Sequence, residues 1–178
     1  MGDKKPFQYY DRTARAILKE TPVYPERQLP EPDALEGGAG VWLVKRENNT
    51  VYILFQKRSQ NVTNGGFYDS SAGGHIDKGE DSLTAALRET QEEIGLKLKP
   101  EDLKFVCAYA TDKKLISVYL ADRTGKNDRL ALNREEVESV EWVSLADLDM
   151  FIRARVKPPL RENSAHLPVL RTYIEKYL

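Results

Sequence analysis

The 178-residue sequence predicts an α/β domain built on a mixed sheet with helices on both faces. Two observations carry this. Segments with strand character come in adjacent pairs joined by short polar turns: Ala39 to Val44 with Val51 to Gln56, and Leu103 to Thr111 with Lys114 to Ala121. Helical segments stand between and after these pairs rather than between single strands, which argues against a doubly wound parallel sheet.

Residues 1–36 read as an N-terminal extension and residues 37–178 as the domain. Tyr9 to Lys19 could form a short helix with Tyr10, Ala14, Ile17 and Leu18 on one side. Pro22, Pro25, Pro30 and Pro32 then forbid regular structure, and this stretch is expected to cross the domain surface, to contact a second copy in a homodimer, or to act as a lid. Arg46 to Thr50 is the turn of the first hairpin. Asn61 to Gly66 is a loop, and Phe67 to Ala72 a short strand leading to Gly73-Gly74. A helix follows. Leu96 to Lys99 is extended and stopped by Pro100. Asp112-Lys113 is the tip of the second hairpin, in which Ile116, Val118 and Leu120 alternate with Ser117 and Tyr119. Asp122 to Arg134 is polar and loop-like. Val137 to Val143 is a strand with Val140 and Trp142 on one face. Ser144 is expected to cap a short helix through about Phe151, with Asp147 at capping-box spacing. Pro158-Pro159 breaks the chain, and Asn163 or Ser164 starts a last helix striped by Leu167, Leu170, Ile174 and Leu178.

Composition narrows the function classes. Apolar residues make up 40% and charged residues 31%, as expected of a globular domain. The formal net charge of −1 gives no general basic field for DNA, RNA or an anionic membrane. No apolar run approaches a membrane span, and the first residues lack a secretory apolar region. Cys107 is the single cysteine, so no intrachain disulfide forms, and a cytoplasmic location is expected.

The chain is organised around Gly74 to Leu96, GHIDKGEDSLTAALRETQEEIGL. At about 100° per residue, Glu92 and Glu93 fall near −60° and +40° of Glu89, so the three carboxylates share a helix face. Leu83, Ala86, Leu87, Thr90 and Ile94 fall on another face suited to a core. Like charges at such spacings destabilise a helix and raise one another's pKa. Arg88 offsets part of this, whereas a hard divalent cation, Mg²⁺ or Mn²⁺, would offset it fully. A solvated acidic face is the plainer alternative.

The stretch resembles the Nudix box, G-x5-E-x7-R-E-U-x-E-E-x-G-U with U aliphatic, through Gly74, Glu80, Arg88-Glu89, Glu92-Glu93, Gly95 and Leu96. The likeness extends from about Gly37 to Phe151 in strand and helix order. It implies an α/β/α sandwich and metal-dependent hydrolysis of the pyrophosphate linkage in a nucleoside diphosphate derivative or a similar organic diphosphate. It assigns metal ligation to Glu92 and Glu93. Glu89 becomes ligand, base or both, and the Gly74 carbonyl a possible further ligand. An Arg88–Glu80 ion pair would hold loop and helix together. A further acid after the box often completes such a site, and Glu135 and Glu136 are candidates here, Glu136 being preferred. Arg58 and Lys113, with Lys57 and Lys114, could meet phosphate or be solvated strand-end charges. Thr90 stands where the family has an aliphatic residue. It is β-branched like valine, and its hydroxyl can bond a carbonyl one turn earlier, so it reads as a core substitution.

Tyr68 to His75, Gln56-Lys57-Arg58-Ser59 and Glu141 to Leu145 are similar to the isopentenyl-diphosphate-isomerase-like branch of that superfamily. The isomerase uses a cysteine before its box-equivalent region. This chain has Ser70 and Ser71 near there, and Cys107 falls in a predicted strand. The resemblance therefore implies kinship without isomerase activity. His75 reads as a structural residue. An isomerase and a non-catalytic nucleotide-sensing module stand as the alternatives to a hydrolase, and nothing in the sequence selects the substrate.

Overall fold

The computed structural model describes residues 9–11, 34–111, 113–156 and 166–177. Strand β2, Ala34–Glu47, is the spine of the sheet. It alternates cleanly. Val41 and Leu43 face one apolar layer, while Trp42 and Val44 face the other. β1, Tyr9–Asp11, pairs antiparallel with its first residues. β3, Thr50–Arg58, pairs antiparallel with its last. Asn48 and Asn49 both take positive φ, 47° and 64°, so the hairpin turns through two residues and the strands run further than the sequence indicates.

Where Phe67 to Ala72 predicts one strand, there are two short ones: β4, Tyr68–Asp69, on β3, and β5, Ala72–His75, on β2. Gly73 and Gly74 therefore lie within a strand and not in a turn. Helix α1, Ser82–Ile94, follows. Past a 3₁₀ turn at Pro100–Asp102 come β6, Lys104–Ala110, and β7, Lys114–Asp122, the expected hairpin. β7 runs parallel to β2 over Glu36 to Val44, which makes the sheet mixed. β8, Val137–Ser144, closes against β3. The last elements are α2, Leu148–Arg155, and α3, His166–Tyr177.

Two cores sandwich the sheet. α1 packs Ala85, Ala86 and Ile94 on Val41, Leu43, Leu54 and Ala121. α2 and α3 pack Leu148, Phe151, Leu170 and Ile174 on Trp42, Phe55, Val118 and Leu120. The architecture is the α/β/α sandwich with a mixed sheet that the sequence predicts.

Two local expectations change. The helix proposed for Tyr9 to Lys19 begins instead as strand β1, because its backbone groups pair with Ala34–Glu36; the rest of it, with the proline stretch, lies outside the described residues. The pairing of Ser144 with Asp147 forms, the hydroxyl donating to Asp147 Oδ2 at 2.6 Å, yet the helix starts only at Leu148 and runs on to Arg155. The residues proposed to open the last helix, Asn163 and Ser164, and the Pro158-Pro159 break are likewise outside the described residues.

Thr90 is fully buried, and its hydroxyl donates to the Ala86 carbonyl at 2.7 Å. The expected bond to the preceding turn is present. A Thr90→Val chain loses one such bond and gains apolar burial, so its unfolding free energy should stay within about 1 kcal/mol of the parent in urea denaturation. A loss of roughly 3 kcal/mol or more would place the hydroxyl in a wider network.

Candidate active site

Helix α1 is held at both ends. Asp81 caps its start, accepting the Thr84 amide at 2.7 Å, and those amides hold the Asp81 carboxyl below its ordinary pKa. Gly95 ends it in the left-handed region, φ 70°, with its N–H on the Gln91 carbonyl at 3.1 Å. A Cβ there would also strike Ala131. The loop after β7 then returns to this end. The Ala131 and Asn133 amides bond the Ile94 and Glu93 carbonyls at 2.9 Å each. The Ser59 amide anchors the next turn through the Glu136 carbonyl at 2.8 Å. These contacts bring Glu136, 40 residues and more from the box, beside α1.

Arg88 is the electrostatic centre. Its Nε and Nη2 fork onto both oxygens of Glu80 at 2.9 and 3.0 Å. Nη2 also donates to the His75 carbonyl at 2.9 Å. Nη1 reaches Glu89 at 2.8 Å and Glu92 at 3.1 Å. Glu80 further accepts the Asp77 amide at 3.1 Å. The box arginine thus ties β5, the loop before α1 and the acidic face together, and its pKa is driven up chiefly by the Glu80 hydrogen bonds.

The three box carboxylates differ in environment. Glu92 is exposed. Glu89 is mostly covered and lies directly over Gly74, where a Cβ would overlap its carboxylate. Glycine is needed at 74 for this close approach. Burial, and then the charges of Glu92 and Glu136, raise the Glu89 pKa against the lowering pull of Arg88. Glu93 is 4% exposed, turned from the acidic face toward the sheet. Its Oε2 accepts the Gly73 amide at 2.8 Å and Gln56 Nε2 at 3.0 Å. Burial, with the Glu89 and Asp69 charges, pushes it up to about 8.

Among the described residues, no three acids, imidazoles or thiolates converge on one point as a ready-made ion cage. The donor set still suits a hard divalent cation. It offers carboxylate oxygens on Glu89, Glu92, Glu93 and Glu136, and burial with neighbouring like charge raises the pKa of Glu89 and Glu93, an imbalance a cation would relieve.

The remaining candidates are placed as follows. Glu135 and Glu136 are both exposed, and Glu136 accepts from the Asn133 amide side chain at 3.1 Å. Arg58 is taken up by Asp69 at 3.2 Å and the Thr63 carbonyl at 2.9 Å. Lys57 pairs with Glu138 at 2.5 Å. Lys113 is exposed at the β6–β7 turn, its carbonyl on the Glu36 amide at 2.8 Å. His75 lies within 2.9 Å of Lys114 Nζ and 3.3 Å of buried Glu36, on the sheet face opposite α1. Reading the sequence gives no role to Gln56 or Asp69. Gln56 opens the polar run Gln56-Lys57-Arg58-Ser59 at the end of an apolar strand, so nothing local singles it out.

A model of the family described as the NUDIX domain matches residues 35–167. An uncharacterized Nudix hydrolase of Clostridium acetobutylicum is 28% identical over 124 residues, 65% of this chain and 60% of the relative, so the match spans less than two thirds of that protein. A Deinococcus radiodurans crystal structure superposes over 95% of this chain and 99% of its own, with TM-score 0.67 and 18% identity. The complexed Ap4A hydrolase of C. elegans superposes over 80% and 100%, with TM-score 0.58 and 21% identity. At these identities the two structures speak to fold alone.

Proposed function

Because the chain belongs to the Nudix family, we propose that it is a divalent-metal-dependent hydrolase that cuts the pyrophosphate linkage of a nucleoside diphosphate derivative or a similar organic diphosphate. The observation that carries the reading is the stack formed by Gly74, Glu89 and Arg88. A bare backbone at Gly74 admits the Glu89 carboxylate, and the box arginine holds that carboxylate and Glu92 at one edge of β5.

Glu89, Glu92 and Glu93 would hold Mg²⁺ or Mn²⁺, with Glu136 and the Gly74 carbonyl as further oxygen donors. Such an ion, when bound, neutralises diphosphate charge and acidifies water. The chain's own part is clearer in its detail. Arg88 keeps the Glu89 and Glu92 carboxylates aligned through its Nη1 hydrogen bonds. Glu89, largely desolvated and with its pKa raised by burial, is the candidate to accept a proton from water once ionised. Glu80 stays on Arg88 throughout and fixes the loop. Lys113, which is exposed, would be the more available of the two for an outer phosphate, whereas Arg58 would first have to leave Asp69.

Isomerase chemistry finds little support. Ser71 is fully buried, donating to the Leu54 carbonyl at 2.6 Å and accepting the Leu43 amide at 2.8 Å, a structural tie between two strands. Cys107 lies in β6, its thiol pushed up by burial and away from thiolate character. The branch likeness is read as kinship.

A panel of nucleoside-diphosphate, dinucleotide and prenyl diphosphate compounds with Mg²⁺ or Mn²⁺ tests the proposal. The expected result is two phosphate-bearing products, one carrying oxygen from labelled water, and none in chelator. Tight metal-dependent binding across the panel without turnover would instead make the chain a sensing module.

A further inference from the structure

We propose that Gln56 is a positioning residue that fixes the Glu93 carboxylate for metal ligation. The inference rests on the hydrolase reading above and deepens it by assigning what holds its most buried acid. In β3, Ile53 and Phe55 face the α2–α3 layer, and Leu54 faces α1. Position 56 continues the Leu54 side, where an aliphatic residue would extend the core. Glutamine stands there at 1% exposure. Its Nε2 donates to Glu93 Oε2 at 3.0 Å, the same oxygen that accepts the Gly73 amide at 2.8 Å.

The other end of the amide is the telling part. Gln56 Oε1 is buried and has no hydrogen-bond partner among the described residues. With Glu93 ionised, as ligation requires, reversing the amide would set Oε1 against a carboxylate oxygen, so the donor faces Glu93 and the acceptor is left stranded. A side chain kept for packing alone would not strand a buried acceptor, because that costs stability. What the arrangement secures is direction. Two donors, from β3 and β5, commit Oε2 to the protein, and among the described residues no hydrogen bond engages Oε1 of Glu93. One carboxylate oxygen is thus anchored while the other keeps its lone pairs for a cation. Hydrogen bonds of this kind orient metal-ligating carboxylates, and losing one typically weakens metal affinity about 10–100-fold.

The test is Mn²⁺ binding to the full chain, read by the loss of free-ion EPR signal, which does not depend on turnover. Gln56→Met keeps the volume and removes both the donor and the stranded acceptor. The expected result is an Mn²⁺ Kd raised about 10–100-fold, with a melting temperature equal to or above that of the parent. Gln56→Asn, which keeps an amide but withdraws it, should weaken binding in the same direction and decides the matter if the methionine variant does not fold. Leu54→Met, a packing change on the same face with no bond to Glu93, should leave the Kd within twofold. The proposal is overturned if Gln56→Met and Gln56→Asn bind Mn²⁺ within twofold of the parent, or if Leu54→Met weakens it equally. A parent chain that binds Mn²⁺ but cleaves nothing on the panel sinks the hydrolase reading and leaves Gln56 judged on binding; a parent that binds no Mn²⁺ sinks both.

Discussion

Glu93→Gln removes metal-stimulated diphosphate cleavage, lowering kcat by on the order of 10³-fold, since a ligand that helps stabilise transition-state charge is worth several kcal/mol and each 1.4 kcal/mol is a decade in rate. The fold should survive, because glutamine can still accept the Gly73 and Gln56 donors that the carboxylate holds. Unaltered kcat in this variant would defeat the ligand assignment. The same substitution has a signature in stability. The Glu93 pKa of about 8 stands above its ordinary 4.5, so between those values the folded chain keeps a proton that the unfolded chain has lost. The stabilisation from this group is full below about 4.5 and fades as pH rises toward 8, at about 1.4 kcal/mol per unit of pKa difference. Glu89, also raised, acts in the same direction. In chelator, the melting temperature of the parent should therefore fall more steeply between pH 5 and 8.5 than that of Glu93→Gln. Parallel slopes would show that Glu93 is not held protonated. Metal binding runs the other way, because ligation needs the ionised carboxylate, so apparent affinity should climb to about pH 8 and then level.

Arg88→Met should cost about 3 kcal/mol, read as a melting temperature lower by roughly 6–12 °C in a chain of this size. The estimate is kept below that of a fully buried pair because the arginine side chain is 21% exposed. Its removal strands three carboxylates and the His75 carbonyl at once. Arg88→Lys keeps the charge but lacks the planar fork that takes both Glu80 oxygens, so it should recover less than half of the loss. Full recovery by lysine would mean that charge alone matters here. A loss under about 0.5 kcal/mol in the methionine variant would reduce the network to a surface ion pair.

The strands, the central helix and the two apolar layers were legible in the sequence because each is written in a local period. Alternation in β2 and β7 and the stripe of α1 need only neighbouring residues to be read. Thr90 belongs here too. Helical arithmetic places it in the core, and the hydroxyl finds the Ala86 carbonyl as its chemistry predicts. The spacing from Gly74 to Leu96 likewise determines which residue types stand at which step of the site.

Other features were decided in three dimensions. Tyr9–Asp11 has helical spacing, yet it pairs as a strand, because the open edge of β2 offers hydrogen bonds that a short isolated helix cannot match. Gly73 and Gly74 stand beyond the strand that the sequence predicts but lie in β5, where the demand on them is the close approach of Ala39 and Glu89. The most consequential case is the acidic face. By helical angle alone, the box glutamates are one cluster on one face. The tertiary structure separates them, because burial and partners vary over a few ångströms where helical angle does not. Glu92 stays in water, Glu89 is pressed on a glycine, and Glu93 turns inward to donors from two strands. Gln56 comes from 37 residues upstream of Glu93, and no local period could have joined them.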